Sequence, residues 1–118
     1  MRRLLPIAFA ACLASGLVAC RQAPPPGASG KTIYTLQNCA NCHGGDERGT
    51  ARGPALFGLN AYWERTAMAQ FFADPKGLAS RDSRLSAMIE AYPAEMSTYE
   101  NLTLSERLVL ADYLLEGR

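Results

Sequence analysis

The pattern of apolar and polar residues predicts helices joined by turns, because no stretch alternates as a half-buried strand would. The clearest helix begins after Thr103, which forms a capping box with Glu106 three residues later. Apolar residues then recur at the i, i+4, i+7 and i+11 spacing of one helix face. The predicted buried stripe consists of Leu104, Leu108, Ala111 and Leu115, widened by Val109 and Tyr113. Gly117 should end this helix.

Three further stretches are predicted to be helical, and together they indicate an all-α fold class. Residues 31–37 look helical. A second helix should begin near Asn60 and stop before the Asp-Pro pair at 74–75, since proline disfavours helical geometry in the residue before it. Its apolar residues are Trp63, Ala67, Met68, Phe71 and Phe72. A shorter helix is predicted from Asp82, a suitable N-cap, to Tyr92, which a proline follows.

The first 19 residues have the charge and hydropathy pattern of a secretory signal peptide. Arg2 and Arg3 precede an apolar run that stops at Cys20, whereas a membrane-spanning helix needs about 20 apolar residues. Leu17-Val18-Ala19-Cys20 resembles the lipobox of bacterial lipoproteins, whose cysteine is lipidated and becomes the new N-terminus. Cys20 is therefore the predicted lipidation site. The alternative is an ordinary signal peptide that is cut near Ala19.

The remaining chain divides into a linker and one domain. Residues 20–29 carry the lipidated cysteine and a Pro, Gly, Ala and Ser stretch, which predicts a stiff linker that holds the domain off the membrane. Residues 30–118 form the predicted domain. Without Arg2 and Arg3, the exported chain keeps ten of its 12 Lys and Arg residues against 11 Asp and Glu. This balance argues against nucleic acid as a partner, which would call for a basic patch.

Cys39-Ala40-Asn41-Cys42-His43 is the segment that predicts chemistry. Two thiols three positions apart lie on one face of a helical turn, and a histidine directly behind them completes the arrangement that attaches haem c covalently. Both sulfurs can then meet the two vinyl groups of one porphyrin, with His43 beneath the iron. The sequence therefore predicts one covalent haem c, bound through Cys39 and Cys42 and ligated by His43.

Three other uses of this cysteine pair have less support. A structural zinc site needs four nitrogen or sulfur ligands, and beyond the lipidated Cys20 the exported chain has no Cys or His besides these three residues. A thioredoxin-like pair would follow a strand, but the residues before Cys39 look helical. A disulfide between Cys39 and Cys42 would close too short a loop to stabilise the fold much.

Beyond this motif, the chain resembles the class I c-type cytochromes over nearly all of residues 30–117. Gly30 and Tyr34 are similar to the family's small residue and aromatic residue on the first helix. Tyr113 is similar to the aromatic residue that packs against them from the last helix. The resemblance implies the small cytochrome c fold, with three to four helices wrapped around one haem.

The resemblance also implies roles for Pro54 and Trp63. Gly53-Pro54-Ala55-Leu56 is similar to the loop whose proline carbonyl accepts a hydrogen bond from the proximal histidine, which would fix the ring and its tautomer. An ordinary turn proline is the alternative. Trp63 precedes Pro75 by twelve residues, as does the family tryptophan that bonds a haem propionate. For this indole, core packing is the alternative.

The sixth iron ligand is expected to be a methionine thioether, because His43 is the only histidine and a soft, neutral donor suits an electron carrier. Met96 is the predicted ligand, since it lies in a stretch that looks irregular and its spacing of seventeen residues before Tyr113 matches the family. Met88 is the alternative, although it lies mid-helix and, like Met68, is expected in the core.

These features predict an electron-transfer protein and not an enzyme. The expected function is that of a membrane-tethered one-electron carrier on the periplasmic side, in a respiratory or related chain, with redox proteins at the membrane as partners. If Met96 does not ligate, the alternative is a five-coordinate haem protein that senses gases or turns over peroxide, for which Arg81 or Arg84 would have to serve. A fixed haem subunit of a membrane oxidase or dehydrogenase complex is the other alternative.

Overall fold

The computed structural model describes residues 22–116, and in that range it contains six α-helices and no β-strand. The helices are α1 (Gly30–Leu36), α2 (Ala40–His43), α3 (Arg65–Ala73), α4 (Pro75–Ala79), α5 (Ser83–Ala91) and α6 (Leu104–Leu115). A 3₁₀ turn at Leu59–Ala61 lies between α2 and α3. The predicted all-α fold class is confirmed. The predicted signal peptide, the lipidation of Cys20 and the end of the last helix at Gly117 lie outside the described residues.

Local capping explains where two of the predicted helices begin. The Thr103 hydroxyl accepts a hydrogen bond from the Glu106 amide at 3.2 Å, and the Glu106 carboxylate accepts one from the Thr103 amide at 2.8 Å. The predicted capping box at the start of α6 is therefore confirmed. Asp82 accepts a hydrogen bond from the Arg84 amide at 2.9 Å and is the N-cap of α5, also as predicted.

The buried face of α6 differs from the predicted stripe. The residues of α6 that are buried are Leu110, Ala111 and Leu114. Leu104 is 58% exposed and Leu108 is only partly buried, so their placement in a core stripe is wrong. Helix α1 crosses α6 at Val109 and Tyr113, well beyond the first turn of α6, so this crossing does not cover that first turn.

Helix α3 starts later than predicted, and the chain after it forms a further helix that was not predicted. The predicted start near Asn60 is wrong, because Asn60 lies within the 3₁₀ turn and the backbone at Glu64 is extended before α3 begins. The Asp74 carboxylate then accepts a hydrogen bond from the Gly77 amide at 3.0 Å and caps α4, with Pro75 in its first turn. Proline at this position needs no amide hydrogen, so the pair starts a helix as well as ending one.

The core lies where α6 packs against α1 and α3. Its buried residues are Ile33, Tyr34, Met68, Phe72, Tyr99, Leu102, Leu110, Ala111 and Leu114. Met68 is 3% exposed, as expected of a core residue, but Met88 is 46% exposed and its predicted core placement is wrong. Helix α5 packs on α4 at the outside of the fold, so Leu85 is the residue of α5 that becomes buried.

Residues 22–29, which were predicted as a linker, lie against the helical body. Pro24 is buried, and Ala28 packs on the core. Ser29 then caps α1 by accepting a hydrogen bond from the Thr32 amide at 3.1 Å. The segment before α1 is therefore held by contacts with the fold.

Candidate functional site

The two cysteines and the histidine of the motif lie on one short helix. Cys39 is the N-cap of α2, and Cys42 and His43 are its last two residues. All three side chains are partly buried. Because residues three apart share one face of a helix, both sulfurs project from the same side of α2.

The carbonyl end of α2 is held by three donors from other parts of the chain. The Thr50 hydroxyl donates to the Cys42 carbonyl at 2.6 Å, and the Gly49 amide donates to the His43 carbonyl at 2.8 Å. The Tyr34 hydroxyl of α1 donates to the Gly44 carbonyl at 2.7 Å. A helix of four residues has almost no internal hydrogen bonds, so these outside partners fix its position.

The ring of His43 is oriented by the backbone of the loop that follows α2. Its Nδ1 atom lies 2.8 Å from the carbonyl oxygen of Pro54. In the tautomer that donates this hydrogen bond, Nε2 carries a lone pair and can ligate a metal. Gly49 allows the loop to close here, because its φ is +84° and a Cβ atom would lie 2.6 Å from the Ala55 amide nitrogen.

The segment with Met96 is tied to the fold on both sides of the methionine. Glu95 pairs with Lys76 of α4 at 2.6 Å, and the Tyr99 amide donates to the Phe72 carbonyl of α3 at 2.7 Å. Met96 itself is partly buried and packs on the core, and residues 93–103 contain no helix, as predicted. Of the two methionines proposed from sequence as ligands, Met96 thus contacts the core whereas Met88 lies on an exposed helix.

Trp63 lies in a cluster of aromatic rings and one cation. Its ring is 5.2 Å from that of Phe71, at an interplanar angle of 58°. The guanidinium of Arg84 lies 5.3 Å from the Trp63 ring and 5.5 Å from the Tyr62 ring, distances at which cation–π attraction operates. A surface cavity of about 420 Å³ is lined in part by Trp63, Tyr62 and Arg84.

A set of partly buried apolar side chains accompanies the motif. They come from α2, the loop after it, α3 and the Met96 segment, and they pack on the core while keeping part of their surface exposed. The set consists of Cys39, Ala40, Leu56, Leu59, Trp63, Phe71 and Met96. A porphyrin is a flat apolar group of the kind that such side chains contact. With two thiols on one helical face and an oriented imidazole, the residues present fit a covalently bound haem.

Two buried polar residues near the motif had no clear signal in the sequence. Glu47 is 3% exposed, has a left-handed φ of 62° and accepts a hydrogen bond from the Tyr113 hydroxyl. Gln37 is 1% exposed and bonds Asn101, which is 64 positions away. Neither contact could be read from local spacing, since both join distant parts of the chain.

The tyrosine of α1 is held neutral by its surroundings. Tyr34 is 3% exposed, and its ring lies 6.2 Å from that of Tyr113. Burial raises the pKa of the Tyr34 phenol well above its ordinary value of 10.0, and the nearby Glu47 carboxylate acts in the same direction. At every pH below that value, the Tyr34 hydroxyl therefore keeps its proton and donates its hydrogen bond at the end of the motif.

The fold and the site define a small helical domain that holds a covalently attached haem. The model of the cytochrome c family matches residues 27–118, and the chain belongs to this family. Cytochrome c domains bind haem c covalently, with iron at the centre of the porphyrin. They are typically electron carriers and are generally extracytoplasmic. Comparison with curated proteins and comparison with solved structures each gave no match.

Two further findings concern the described part of the chain alone. None of its helices is both long and apolar enough to cross a membrane. Within residues 22–116, no group of three or more His, Cys, Asp or Glu side chains is arranged to hold a metal ion.

Proposed function

We propose that this protein is a membrane-tethered one-electron carrier, with haem c attached through thioether bonds to Cys39 and Cys42. The observation that carries the proposal is the 2.8 Å contact between Nδ1 of His43 and the Pro54 carbonyl, on the same turn as the two cysteines. That contact fixes the ring in the orientation and tautomer in which Nε2 could ligate the haem iron. The haem supplies an iron that changes between two oxidation states, and the chain supplies its ligands and surroundings.

Met96 is the proposed sixth ligand. Its partial burial and the ties at Glu95 and Tyr99 on either side support this role, because a ligand on a held segment need not be ordered anew when the iron changes oxidation state. Histidine and methionine ligation raises the reduction potential relative to two nitrogen ligands. Exclusion of water by the surrounding apolar side chains acts in the same direction, since it disfavours the oxidised state with its extra charge.

Trp63 is the proposed partner of a haem propionate. The Arg84 guanidinium lies beside it, so the cluster places a positive charge near the expected position of an anionic group. Trp63 also packs on Phe71 and on the core, and this packing orients the indole whether or not it donates to a propionate.

Ligation on both sides favours electron transfer over gas sensing or peroxide turnover. Arg84 lies over the rings of Tyr62 and Trp63, and the Arg81 side chain donates to the Gly77 carbonyl at 3.3 Å. Arg81 is thus bonded elsewhere, and Arg84 lies against Trp63, the proposed propionate partner. A relay function needs no such group, because the electron enters and leaves through the porphyrin.

The tether belongs to the same proposal. The lipobox resemblance supports a signal peptide over residues 1–19 and a lipid on Cys20, and the extracytoplasmic location of cytochrome c domains agrees with export. A lipid confines the carrier to two dimensions and so raises its encounter rate with membrane redox partners, either as a shuttle or as a fixed subunit of a complex. The donor and acceptor are expected to be redox proteins at the membrane.

Spectroscopy and potentiometry of the purified holoprotein test the function. We expect a one-electron titration, a weak charge-transfer absorption at the red edge of the ferric spectrum that marks iron–sulfur bonding, and no spectral change when carbon monoxide is added to the ferrous protein. Rapid carbon monoxide binding without that ferric absorption would instead favour a five-coordinate sensor or peroxidase-like protein.

A further inference from the structure

The residues before α1 are joined to the fold by a buried amide. The Gln37 side chain is 1% exposed, its Nε2 donates to the Gln22 carbonyl at 3.0 Å, and its Oε1 accepts from Asn101 Nδ2 at 2.8 Å. A buried amide left without a partner costs about 1–3 kcal/mol, so both hydrogen bonds favour this arrangement. We call the Gln22 carbonyl and the side chains of Gln37 and Asn101 the amide clamp.

The segment between the clamp and α1 packs on the fold at Pro24 and Ala28, whereas its other residues are exposed. Pro24 is buried, and the Ala28 amide donates to the Pro25 carbonyl at 3.1 Å in a turn that places Ala28 on the core. Ser29 then starts α1. The segment is thus attached to the fold at the Gln22 carbonyl, Pro24 and Ala28, in contrast to a free linker.

The clamp shortens the path from the proposed lipid to the fold. Cys20 precedes Gln22 by two residues, which span at most about 7 Å when extended. Ten residues of a free polyproline-type linker would instead span about 30 Å. A lipid on Cys20 is therefore joined to the fold by a tether of two residues.

The clamp also lies close to the haem attachment site along the chain. Gln37 is the C-cap of α1, and Cys39 follows two residues later, again within about 7 Å. The lipidated residue and the first thioether are thus connected through one hydrogen bond between Gln22 and Gln37 and two short stretches of chain.

We propose that the amide clamp holds the domain close to the bilayer, with the end that carries Gln37 and Asn101 facing the lipid surface. This inference rests on the proposed lipidation of Cys20 and on haem attachment at Cys39. Its consequence is that the haem stays near the membrane, where it meets partners that are themselves at or in the bilayer. The clamp groups carry no charge, so ionic strength should not open the clamp.

Polarised absorption of the lipidated holoprotein in oriented phosphatidylcholine bilayers tests the proposal. The wild-type protein should show haem dichroism at both low and high salt. Insertion of ten Gly and Ser residues between Arg21 and Gln22 leaves the clamp intact but lengthens the tether, and it should reduce the dichroism to near the isotropic value. Gln37→Leu and Asn101→Ala should reduce it as well, whereas Gln70→Leu, a change on the exposed side of α3, should not.

The outcomes separate failure of the clamp from failure of the proposed function. A lipidated, red protein with equal dichroism before and after the insertion would overturn the clamp proposal alone. An unlipidated Cys20, seen in the mass of the N-terminal peptide, would overturn the tether on which it rests, and a colourless protein would overturn haem attachment. The insertion lies outside the fold, so its result stands even if Gln37→Leu does not fold.

Discussion

His43, the proposed ligand, is oriented by a neutral backbone carbonyl and not by a carboxylate. The Pro54 oxygen accepts the hydrogen bond of Nδ1 without adding a negative charge beside the ring. A carboxylate in this place would make the imidazole a more strongly donating ligand, which favours the oxidised iron. At the scale of single residues, the site therefore favours the reduced state and a higher potential.

Substitution of the two candidate methionines separates their roles. Met96→Ala should abolish the ferric charge-transfer absorption, lower the reduction potential and permit carbon monoxide binding, because the thioether ligand is lost. Met88→Ala is the matched control on an exposed position of α5 and should leave all three properties unchanged. Loss of the absorption in the Met88 variant with its retention in the Met96 variant would reverse the assignment.

The Tyr34 hydroxyl should contribute stability that depends on pH. Tyr34→Phe removes the bond to the Gly44 carbonyl and should lower the free energy of unfolding by about 1 kcal/mol at neutral pH. The pKa of Tyr34 is raised in the folded state, so above 10.0 the unfolded chain loses this proton first and wild-type stability falls as the pH rises. The difference between wild type and variant should therefore narrow above that pH.

Guanidinium unfolding below and above pH 10.0 measures this effect. Tyr62→Phe is the control, because Tyr62 is 70% exposed and removing its hydroxyl should produce no such change in the stability difference. A constant difference between wild type and Tyr34→Phe across the same pH range would show that Tyr34 does not titrate differently in the folded and unfolded states.

At the scale of elements, the crossing of α1 and α6 depends on the absence of a side chain at one position. A Cβ atom on Gly30 would lie 2.2 Å from the Tyr113 Cβ and 2.8 Å from the Val109 carbonyl oxygen. The two helices approach each other closely here, and Tyr113 in turn contacts Tyr34 and Glu47. The crossing thus places the first and last helices around the motif.

Gly30→Ala should destabilise the fold because the helices must separate. We expect a loss of about 1–3 kcal/mol in the free energy of unfolding, the usual cost of overpacking. Gly45→Ala is the matched control, since nothing lies within 4 Å of a Cβ atom there. Chemical denaturation of both variants measures the difference, and equal stabilities would contradict a close crossing at Gly30.

Elements with local signals are predictable from the sequence, whereas those that depend on packing are not. The capping box at Thr103 and the N-cap at Asp82 act within one turn, so the starts of α6 and α5 follow from a few neighbouring residues. The exposed Leu104 shows the opposite case, because spacing alone does not say how far the neighbouring helices extend along α6. Helix α4 was not predicted although its start signal is local, because the Asp74-Pro75 pair marks both the end of one helix and the start of the next.

In the candidate site, too, local signals are predictable from the sequence whereas contacts between distant residues are not. The attachment motif is a contiguous sequence, so the roles of Cys39, Cys42 and His43 follow from their spacing alone. The amide clamp joins side chains that are 64 positions apart in sequence, Gln37 and Asn101, and nothing in the local pattern around either residue indicates the other. Such contacts follow from the topology of the fold, which brings the end of α1 against the segment before α6.

At the scale of the whole molecule, the bound haem should contribute a large part of the stability of the fold against thermal unfolding. The partly buried apolar side chains around the motif, which include Leu56, Leu59 and Phe71, would gain a covering group. The variant with both Cys39→Ser and Cys42→Ser should therefore melt at a lower temperature than the holoprotein. Circular dichroism of the two proteins measures the shift, and equal melting temperatures would show that haem adds nothing to the core.

Haem attachment to the two cysteines is the central claim, and the mass of one tryptic peptide tests it most directly. Trypsin cleaves after Lys31 and Arg48, so residues 32–48 leave as one peptide that contains Cys39 and Cys42. In protein matured by a host competent for cytochrome assembly, this peptide should carry the mass of one haem after denaturation and extraction with acidified acetone. A peptide with the mass of its amino acids alone, with haem absent or recovered in the acetone, would contradict the account.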